Sequence, residues 1–275
     1  MEKMLKDKVC IITGSGRGIG KAAALLFARE GAKLAITDID EAPALETVAE
    51  IKALGGQAIA VVGDVTAEGY AQRLVKETVE AFGPSLDILV NNAGYTWDGT
   101  VHKMTDSQWQ AMLDIHISAP FKIIRAAAPY MRDVAAREKQ ETGRARIRKI
   151  INISSVAGLD GNFGQANYSS AKAAVVGLTK TLAREWGPFN ILVNCVAFGF
   201  IETRLTQAKE KGEIIDREGS QVPIGVPEKI RQMFTLLCPL GRPATPEEAA
   251  AGLLMVASPL ADYITGEVIR VTGGM

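Results

Sequence analysis

Residues 9–20 read VCIITGSGRGIG, a short apolar run followed at once by a turn rich in glycine. The apolar run lacks two-residue alternation, which is typical of a strand buried on both faces of a parallel sheet. Glycines at Gly14, Gly18 and Gly20 allow a tight turn and let the backbone approach a pyrophosphate at the start of the following helix. Because this spacing differs from the standard G-x-G-x-x-G, the turn alone is also compatible with a plain tight turn.

The same alternation of strand and helix continues along the 275 residues. Further runs rich in Val, Ile and Ala predict strands at residues 33–38, 58–62, 88–91, 150–154, 191–196 and 267–271. Amphipathic patterns between them predict helices, among them 18–31, 42–54 and 70–82. This order predicts an α/β fold: a Rossmann-type doubly wound, seven-stranded parallel sheet flanked by helices on both faces. We expect one domain over residues 1–275, since there is no repeat and no linker poor in apolar residues.

The bulk composition excludes several classes of protein. Acidic and basic residues balance at 31 each, so nothing indicates a nucleic-acid partner or an anionic membrane. No apolar run reaches the length of a membrane-spanning helix, and the polar start lacks the apolar core of a signal peptide, so we expect a soluble, cytoplasmic protein. Three scattered cysteines and two histidines predict neither disulfides nor a metal site, and Cys10 and Cys195 are interpreted as core residues.

The residues after the second predicted strand bear on the choice of dinucleotide. Asp38 follows Gly20 by 18 residues, where a carboxylate can accept both hydroxyls of an adenosine ribose and would repel a 2′-phosphate. This position favours NAD over NADP. Arg17 points mildly the other way, because an arginine in the turn can meet a 2′-phosphate. A solvated strand end at Asp38 and a solvated Arg17 are the plain alternatives, and NADP is not excluded.

Three residues suit acid–base chemistry on a carbonyl. Tyr168 and Lys172 are four apart in a helical stretch and so share one face, and Ser155 ends a buried strand 13 residues before Tyr168. A hydride donated to a ketone leaves an oxyanion that needs a proton, but the pKa of tyrosine, about 10, is poorly matched to neutral pH. Lowering it by about three units needs about 4 kcal/mol. One ammonium about 4 Å away supplies about that much at an effective dielectric near 20.

We therefore expect the Lys172 ammonium, helped by the positive charge of oxidised nicotinamide, to make the Tyr168 phenol acidic. Ser155 would hydrogen-bond the carbonyl or alkoxide oxygen. A tyrosine and a lysine four apart on a helix are by themselves most often a surface pair, and only the combination with the glycine turn and Asp38 points to catalysis.

These features resemble the main soluble branch of the short-chain dehydrogenase/reductase family. The matching stretches run in family order along nearly the whole chain: residues 13–20, Asn91-Asn92-Ala93-Gly94, Ser155, Tyr168-x-x-x-Lys172 and the closing residues 266–275. Residues 165–168 and 199–203 are similar to the 3-oxoacyl-acyl-carrier-protein reductase branch, a label shared by enzymes that act on other alcohols.

The resemblance implies further cofactor contacts. Asp64 and Val65 would flank the adenine, Ile201 and Thr203 would contact the nicotinamide carboxamide, and Lys172 would also hold the nicotinamide ribose. With the residues argued above, the candidate cofactor-binding positions are Gly14, Arg17, Gly18, Ile19, Gly20, Asp38, Asp64, Val65, Asn91, Ala93, Gly94, Tyr168, Lys172, Ile201 and Thr203. No metal ligand is expected.

Two positions depart from the family pattern. Where the family has an asparagine that supports a water-linked proton path to the lysine, this chain has His116. Imidazole donates and accepts, so we include His116 with the catalytic candidates, although it titrates near neutrality and a histidine in such a helix is often only packed. Phe198 stands where a proline usually precedes Gly199, which leaves a freer φ and an extra N–H at one edge of the nicotinamide pocket.

Two segments interrupt the alternation. Residues 199–242 are long and irregular and are predicted to form a substrate lid. The apolar side chains of this lid fit either an elongated apolar substrate or a self-packed helical hairpin; they are Ile214, Ile215, Val222, Ile224, Val226, Met233 and Phe234. Residues 131–149 are basic and precede a strand, at the sheet edge opposite the active site. They are interpreted as a solvated helix end and loop, with docking of an acidic carrier protein as the alternative.

The resulting hypothesis is an NAD(P)-dependent oxidoreductase acting on a carbonyl or secondary alcohol, with a small molecule or an acyl thioester as substrate. A 3-oxoacyl thioester competes with sugars, steroids and small alcohols. The other class considered is a catalytically impaired nucleotide-binding regulatory protein. Helical residues 108–130 and 167–186 are apolar on more than one face, which predicts a homo-oligomer, a tetramer or a dimer.

Overall fold

The computed structural model describes residues 3–217 and 220–275. The strands are β1 (Val9–Ile12), β2 (Lys33–Ile36), β3 (Gln57–Ala60), β4 (Ile88–Asn91), β5 (Arg148–Ser155), β6 (Ile191–Phe198), β7 (Ile214–Arg217), β8 (Ser220–Pro223) and β9 (Val268–Val271). Seven of them form one parallel sheet in the order β3-β2-β1-β4-β5-β6-β9. The predicted sheet is confirmed.

Helices cover both faces of the sheet. They are α1 (Gly18–Arg29), α2 (Glu41–Ala53), α3 (Tyr70–Phe82), α4 (Asp106–Leu113), α5 (Ala119–Thr142), α6 (Val156–Asp160), α7 (Ala166–Trp186), α8 (Glu228–Leu237) and α9 (Pro246–Ala257). Helices α1, α2 and α9 bury their apolar side chains in one core, and α3, α5 and α7 in the other. The central strands are buried along their length because both faces are covered. No helix among the described residues is both long and apolar enough to cross a bilayer.

The strand order places the site. From β1 the chain builds outward through β2 and β3, and then returns to place β4 on the other side of β1. Open parallel sheets bind ligands at such a reversal, outside the carboxyl ends of the strands. The glycine turn after β1, the end of β4 and the end of β5 therefore meet along one edge.

The basic segment at residues 131–149 is less solvated than its composition indicates. Residues up to Thr142 belong to α5, and β5 begins at Arg148, two residues before the predicted strand. The Arg148 side chain is fully buried, 2.7 Å from the Glu138 carboxylate, and this guanidinium lowers the pKa of Glu138 to about 2. Lys149 is also buried and pairs with Asp262 at 2.9 Å. Arg148 and Lys149 are thus paired inside the protein. They are not available to bind an acidic carrier protein at the surface.

Residues 199–242, whose apolar side chains fit either an apolar substrate or a helical hairpin, contain a β-hairpin. Strands β7 and β8 pair antiparallel, with Ile215 opposite Val222. Alternate side chains of a strand share one face, so Ile215, Val222 and Ile224 become buried together. They pack against Leu205 and against two aromatic side chains after β4, Tyr95 and Trp97. The predicted helical hairpin is therefore wrong for these residues, which form a β-hairpin that packs partly on the loop after β4.

Candidate active site

The glycine turn is shaped to leave its backbone accessible. Gly14 has a φ of +64°, which favours glycine, and a methyl group on Gly20 would lie 2.1 Å from the Gly14 carbonyl oxygen. Helix α1 begins at Gly18, and its N-cap residue Arg17 makes no side-chain capping bond. The first N–H groups of α1 are thus available to an anion. Thr203 lies across the cleft, with Cγ2 3.7 Å from where a Cβ on Gly18 would stand.

Asp38 is fixed beside this turn. One carboxylate oxygen accepts a hydrogen bond from the Gly16 N–H at 3.2 Å and the other accepts one from the Asp40 N–H at 3.1 Å. Arg17 lies 2.6 Å from the Asp40 carboxylate and 3.7 Å from that of Asp38. The only arginine of the turn is therefore already paired with carboxylates. This arrangement gives the cleft beside the turn carboxylate acceptors and a negative charge.

The loops after β3 and β4 border the same side of the cleft as the glycine turn. The Gly63 N–H donates to the Asp38 carbonyl at 2.9 Å, which brings Asp64 alongside; the Asp64 carboxylate accepts from the Thr66 hydroxyl at 2.7 Å, and Val65 is buried. Asn91 instead points into the protein, where its amide donates to Asn152 at 2.9 Å.

Two residues outside the predicted set join the glycine turn to the end of β4. The Thr13 hydroxyl accepts from the N–H groups of Asn92 and Ala93, each at 2.9 Å. The Asn92 amide donates to the carbonyls of Thr13 and Gly14 at 2.9 and 3.1 Å. Asn92 lies within the motif Asn91-Asn92-Ala93-Gly94, which marks it in the sequence. Its contacts with the glycine turn arise only because β4 lies next to β1 in the sheet.

Ser155, Tyr168 and Lys172 meet at the end of β5. The Ser155 hydroxyl accepts from the Ala157 N–H at 3.2 Å and lies close enough to the Tyr168 phenol to lower its pKa. Lys172, one helical turn after Tyr168 in α7, has its ammonium 5.6 Å from the phenol ring centroid and donates to the Ile153 carbonyl at 2.7 Å. The three predicted side chains are thus brought together.

The protonation of this trio differs from the sequence expectation. Burial raises the pKa of Tyr168 to about 12, against the opposing effect of the Ser155 hydrogen bond. Burial also lowers the pKa of Lys172 to about 8. Loss of solvation is the largest effect on the pKa of both groups, and the Lys172 ammonium is bonded to the Ile153 carbonyl. At neutral pH the phenol is protonated and fit to donate, and the lysine is charged.

His116 contacts the same phenol. It lies in a π-helical turn, Asp114–Ser118, between α4 and α5, and its ring meets the Tyr168 ring edge-on with centroids 5.0 Å apart. Its Nε2 is 2.7 Å from the Tyr95 carbonyl oxygen, so Nε2 carries the proton. Burial, reinforced by the charge of Lys172, holds the pKa of His116 well below its usual range. A methyl group on Gly94 would lie 2.2 Å from the imidazole.

The other departure from the family pattern has less effect on the cleft. Phe198 ends β6, and its side chain packs into the core with α1 and α9. Ile201, three residues on, is buried in the same core. The backbone of Phe198 is held in strand register with Ser155 of β5 on one side and Val271 of β9 on the other.

An acidic residue that the sequence reasoning missed lies at the rim. The two Asp98 oxygens accept from the Gln165 amide at 3.1 and 3.0 Å, and this carboxylate contributes to the raised pKa of Tyr168. Asp98 follows β4 by several residues, and no local pattern marks its approach to Tyr168.

Comparison with known proteins agrees with this site. Residues 8–214 match the family model for short chain dehydrogenase. Two 3-oxoacyl-acyl-carrier-protein reductases, from Thermotoga maritima and from a Synechocystis species, are each 39% identical and aligned over 98% of both chains. A solved Serratia marcescens short-chain dehydrogenase/reductase, a double mutant, superposes with a TM-score of 0.81 at 30% identity over 98% of both chains. The chain therefore belongs to the short-chain dehydrogenase/reductase family and is an NAD(P)-dependent oxidoreductase.

Proposed function

We propose that this chain is an NADH-linked reductase that converts the 3-oxo group of an acyl thioester to a secondary alcohol, in a reversible reaction. The observation that carries the proposal is the meeting of Ser155, Tyr168 and Lys172 beside the glycine turn. The thioester is inferred from two relatives, which are 3-oxoacyl-acyl-carrier-protein reductases aligned with 98% of this chain.

The residues present fit a dinucleotide. Side chains at Gly14, Gly16 or Gly20 would clash with neighbouring atoms, so the turn keeps its backbone bare, and the uncapped start of α1 supplies N–H donors for a pyrophosphate. Asp38 would accept the ribose hydroxyls, Asp64 and Val65 would flank the adenine, and Ile201 and Thr203 would contact the carboxamide. Further contacts are proposed at Gly14, Arg17, Gly18, Ile19, Gly20, Ala93 and Gly94, and at the backbone of Asn91, whose side chain is turned toward Asn152. When bound, the nicotinamide supplies the hydride.

In this reaction the protein's own side chains would transfer one proton to the substrate. The Ser155 hydroxyl and the Tyr168 phenol would both bind the carbonyl oxygen and so polarise it. As negative charge develops on that oxygen, Tyr168 donates its proton. The nearby Lys172 ammonium then stabilises the phenolate that remains and would hold the nicotinamide ribose. In the oxidative direction the same phenolate accepts the proton of the alcohol.

We also propose self-association into a dimer or tetramer. The sequence predicted that helical residues 108–130 take part in association. Within this stretch Trp109 on α4 and Phe121 on α5 are 40% and 47% exposed. Large aromatic groups left at the surface indicate a site for another protein surface.

The substrate is tested by a panel assay of NADH consumption. A short 3-oxoacyl thioester of N-acetylcysteamine is compared with a ketose, a 3-oxosteroid and a small ketone. We expect the thioester to exceed each of the others in kcat/KM by about 10-fold or more, the discrimination that a few differing contacts provide. A higher kcat/KM for the sugar, the steroid or the small ketone would reject the thioester assignment. Absence of turnover with all four would reject the proposed function.

A further inference from the structure

His116 is connected to more than the phenol beside it. Its Nε2–H donates to the Tyr95 carbonyl, and its ring closes against Gly94. Residues 94–97 form a loop, called here the 94–97 loop, which follows β4 and its motif. At the far end of this loop the Trp97 carbonyl accepts from the amide of Asn167, the neighbour of Tyr168, at 3.0 Å. The loop is therefore held at both ends by residues adjacent to the phenol.

The outer surface of the 94–97 loop supports the hairpin. The aromatic side chains of Tyr95 and Trp97 pack against Ile215, Val222 and Ile224 of the β7–β8 hairpin. These three apolar side chains are at most 6% exposed, so the hairpin rests mainly on this loop and on Leu205. A continuous set of contacts thus runs from the hairpin through Tyr95 to His116 and on to the Tyr168 ring.

The chemistry of His116 suits a fixed support better than a proton carrier. The bond to a carbonyl fixes one tautomer, and the side chain is 3% exposed. Its Nδ1 is buried and has no hydrogen-bonding partner among the residues that the structure describes. A group held neutral in a single tautomer does not exchange its proton during turnover.

We propose that His116 is a positioning residue that fixes the 94–97 loop against the Tyr168 phenol and thereby couples the packing of the hairpin to the reacting group. The proposal rests on the function proposed above for Tyr168. It assigns the hairpin a part in catalysis although none of its apolar side chains contacts the trio.

Two substitutions of His116 distinguish the roles of the two imidazole nitrogens. The amide nitrogen of glutamine reaches the position of Nε2, whereas the amide of asparagine reaches only that of Nδ1. His116→Gln therefore keeps the donor to Tyr95, and His116→Asn loses it. We expect His116→Asn to lower kcat by about 10-fold with KM for NADH changed by less than about 2-fold, since misplacing a reacting group mainly slows the chemical step. His116→Gln should restore kcat to within about 3-fold of the parent.

A hairpin variant tests the coupling itself. Ile224→Ala should lower kcat in the parent by about 3-fold but have no further effect in His116→Asn, because the connection is already broken there. Thermal unfolding midpoints identify variants that fail to fold. Independent, multiplicative effects of the two changes would overturn the proposal, and so would a His116→Asn enzyme more active than His116→Gln, which would assign the role to Nδ1. Failure of the proposed function is seen separately, as a Tyr168→Phe enzyme with parental activity.

Discussion

Replacing Tyr168 with phenylalanine should lower kcat for carbonyl reduction by about 10³-fold, which is within the usual contribution of a positioned acid. The change removes one oxygen, and with it the proton donor and the partner of Ser155. The ring remains, so its edge-on contact with His116 is kept. The measurement is single-turnover oxidation of NADH, with NADH binding followed by fluorescence. The dissociation constant of NADH should change by less than about 3-fold, because the lost hydroxyl acts in the chemical step and not in cofactor binding.

A matched control is available in the same chain. Tyr263 is fully exposed, and Tyr263→Phe removes the same hydroxyl away from the cleft. This variant should keep kcat within about 2-fold of the parent, as surface substitutions away from such features usually do. Parental turnover in Tyr168→Phe would exclude the phenol as the acid. Equal losses in both tyrosine variants would show that the assay reports something other than the site.

Replacing Asp38 with serine should raise the ratio of NADPH to NADH efficiency by about 10²-fold or more. Two effects add: NADH loses a charge-assisted acceptor, and NADPH no longer meets a carboxylate. Each effect is worth about 1.5–3 kcal/mol, and about 1.4 kcal/mol corresponds to a factor of ten. The measurement is kcat/KM with each cofactor at a saturating concentration of carbonyl substrate.

Arg17 provides a second test of the role of Asp38. It lies nearest to Asp40, at 2.6 Å, so Asp40→Ser alone should alter the ratio only a little while Asp38 still repels a phosphate. The double variant frees Arg17 from both carboxylates and should favour NADPH more than Asp38→Ser does. A parent that prefers NADPH, or an Asp38→Ser variant with an unchanged ratio, would reject the role of Asp38.

Much of the fold was predictable because its signals are local. The run at residues 9–20 combines a buried strand, a glycine turn and a helix start, and the structure shows each of them there. Tyr168 and Lys172 share a face because they lie one helical turn apart, which any helix enforces. Ser155 meets them because α7 packs beside the end of β5, where the Ser154 hydroxyl donates to the Lys172 carbonyl at 2.8 Å.

Other features depend on contacts distant in sequence and left no local signal. Arginine is usually a surface residue. Arg148 is nevertheless buried, because Glu138 on α5 pairs with its guanidinium. The strands Ile214–Arg217 and Ser220–Pro223 were ambiguous in the sequence, because short runs of Ile and Val suit a strand and a buried helix equally. The raised pKa of Tyr168 reflects burial, which spacing does not give.

Transfer of a labelled hydrogen tests the central claim most directly. Each epimer of NADH deuterated at C4 is incubated with the 3-oxoacyl thioester, and the alcohol is analysed by mass spectrometry. One epimer should place its deuterium on the carbinol carbon and the other should leave it on the oxidised cofactor, because a single cleft presents one face of the nicotinamide. An alcohol product without deuterium from either epimer, or oxidation of NADH without any alcohol, would contradict the account.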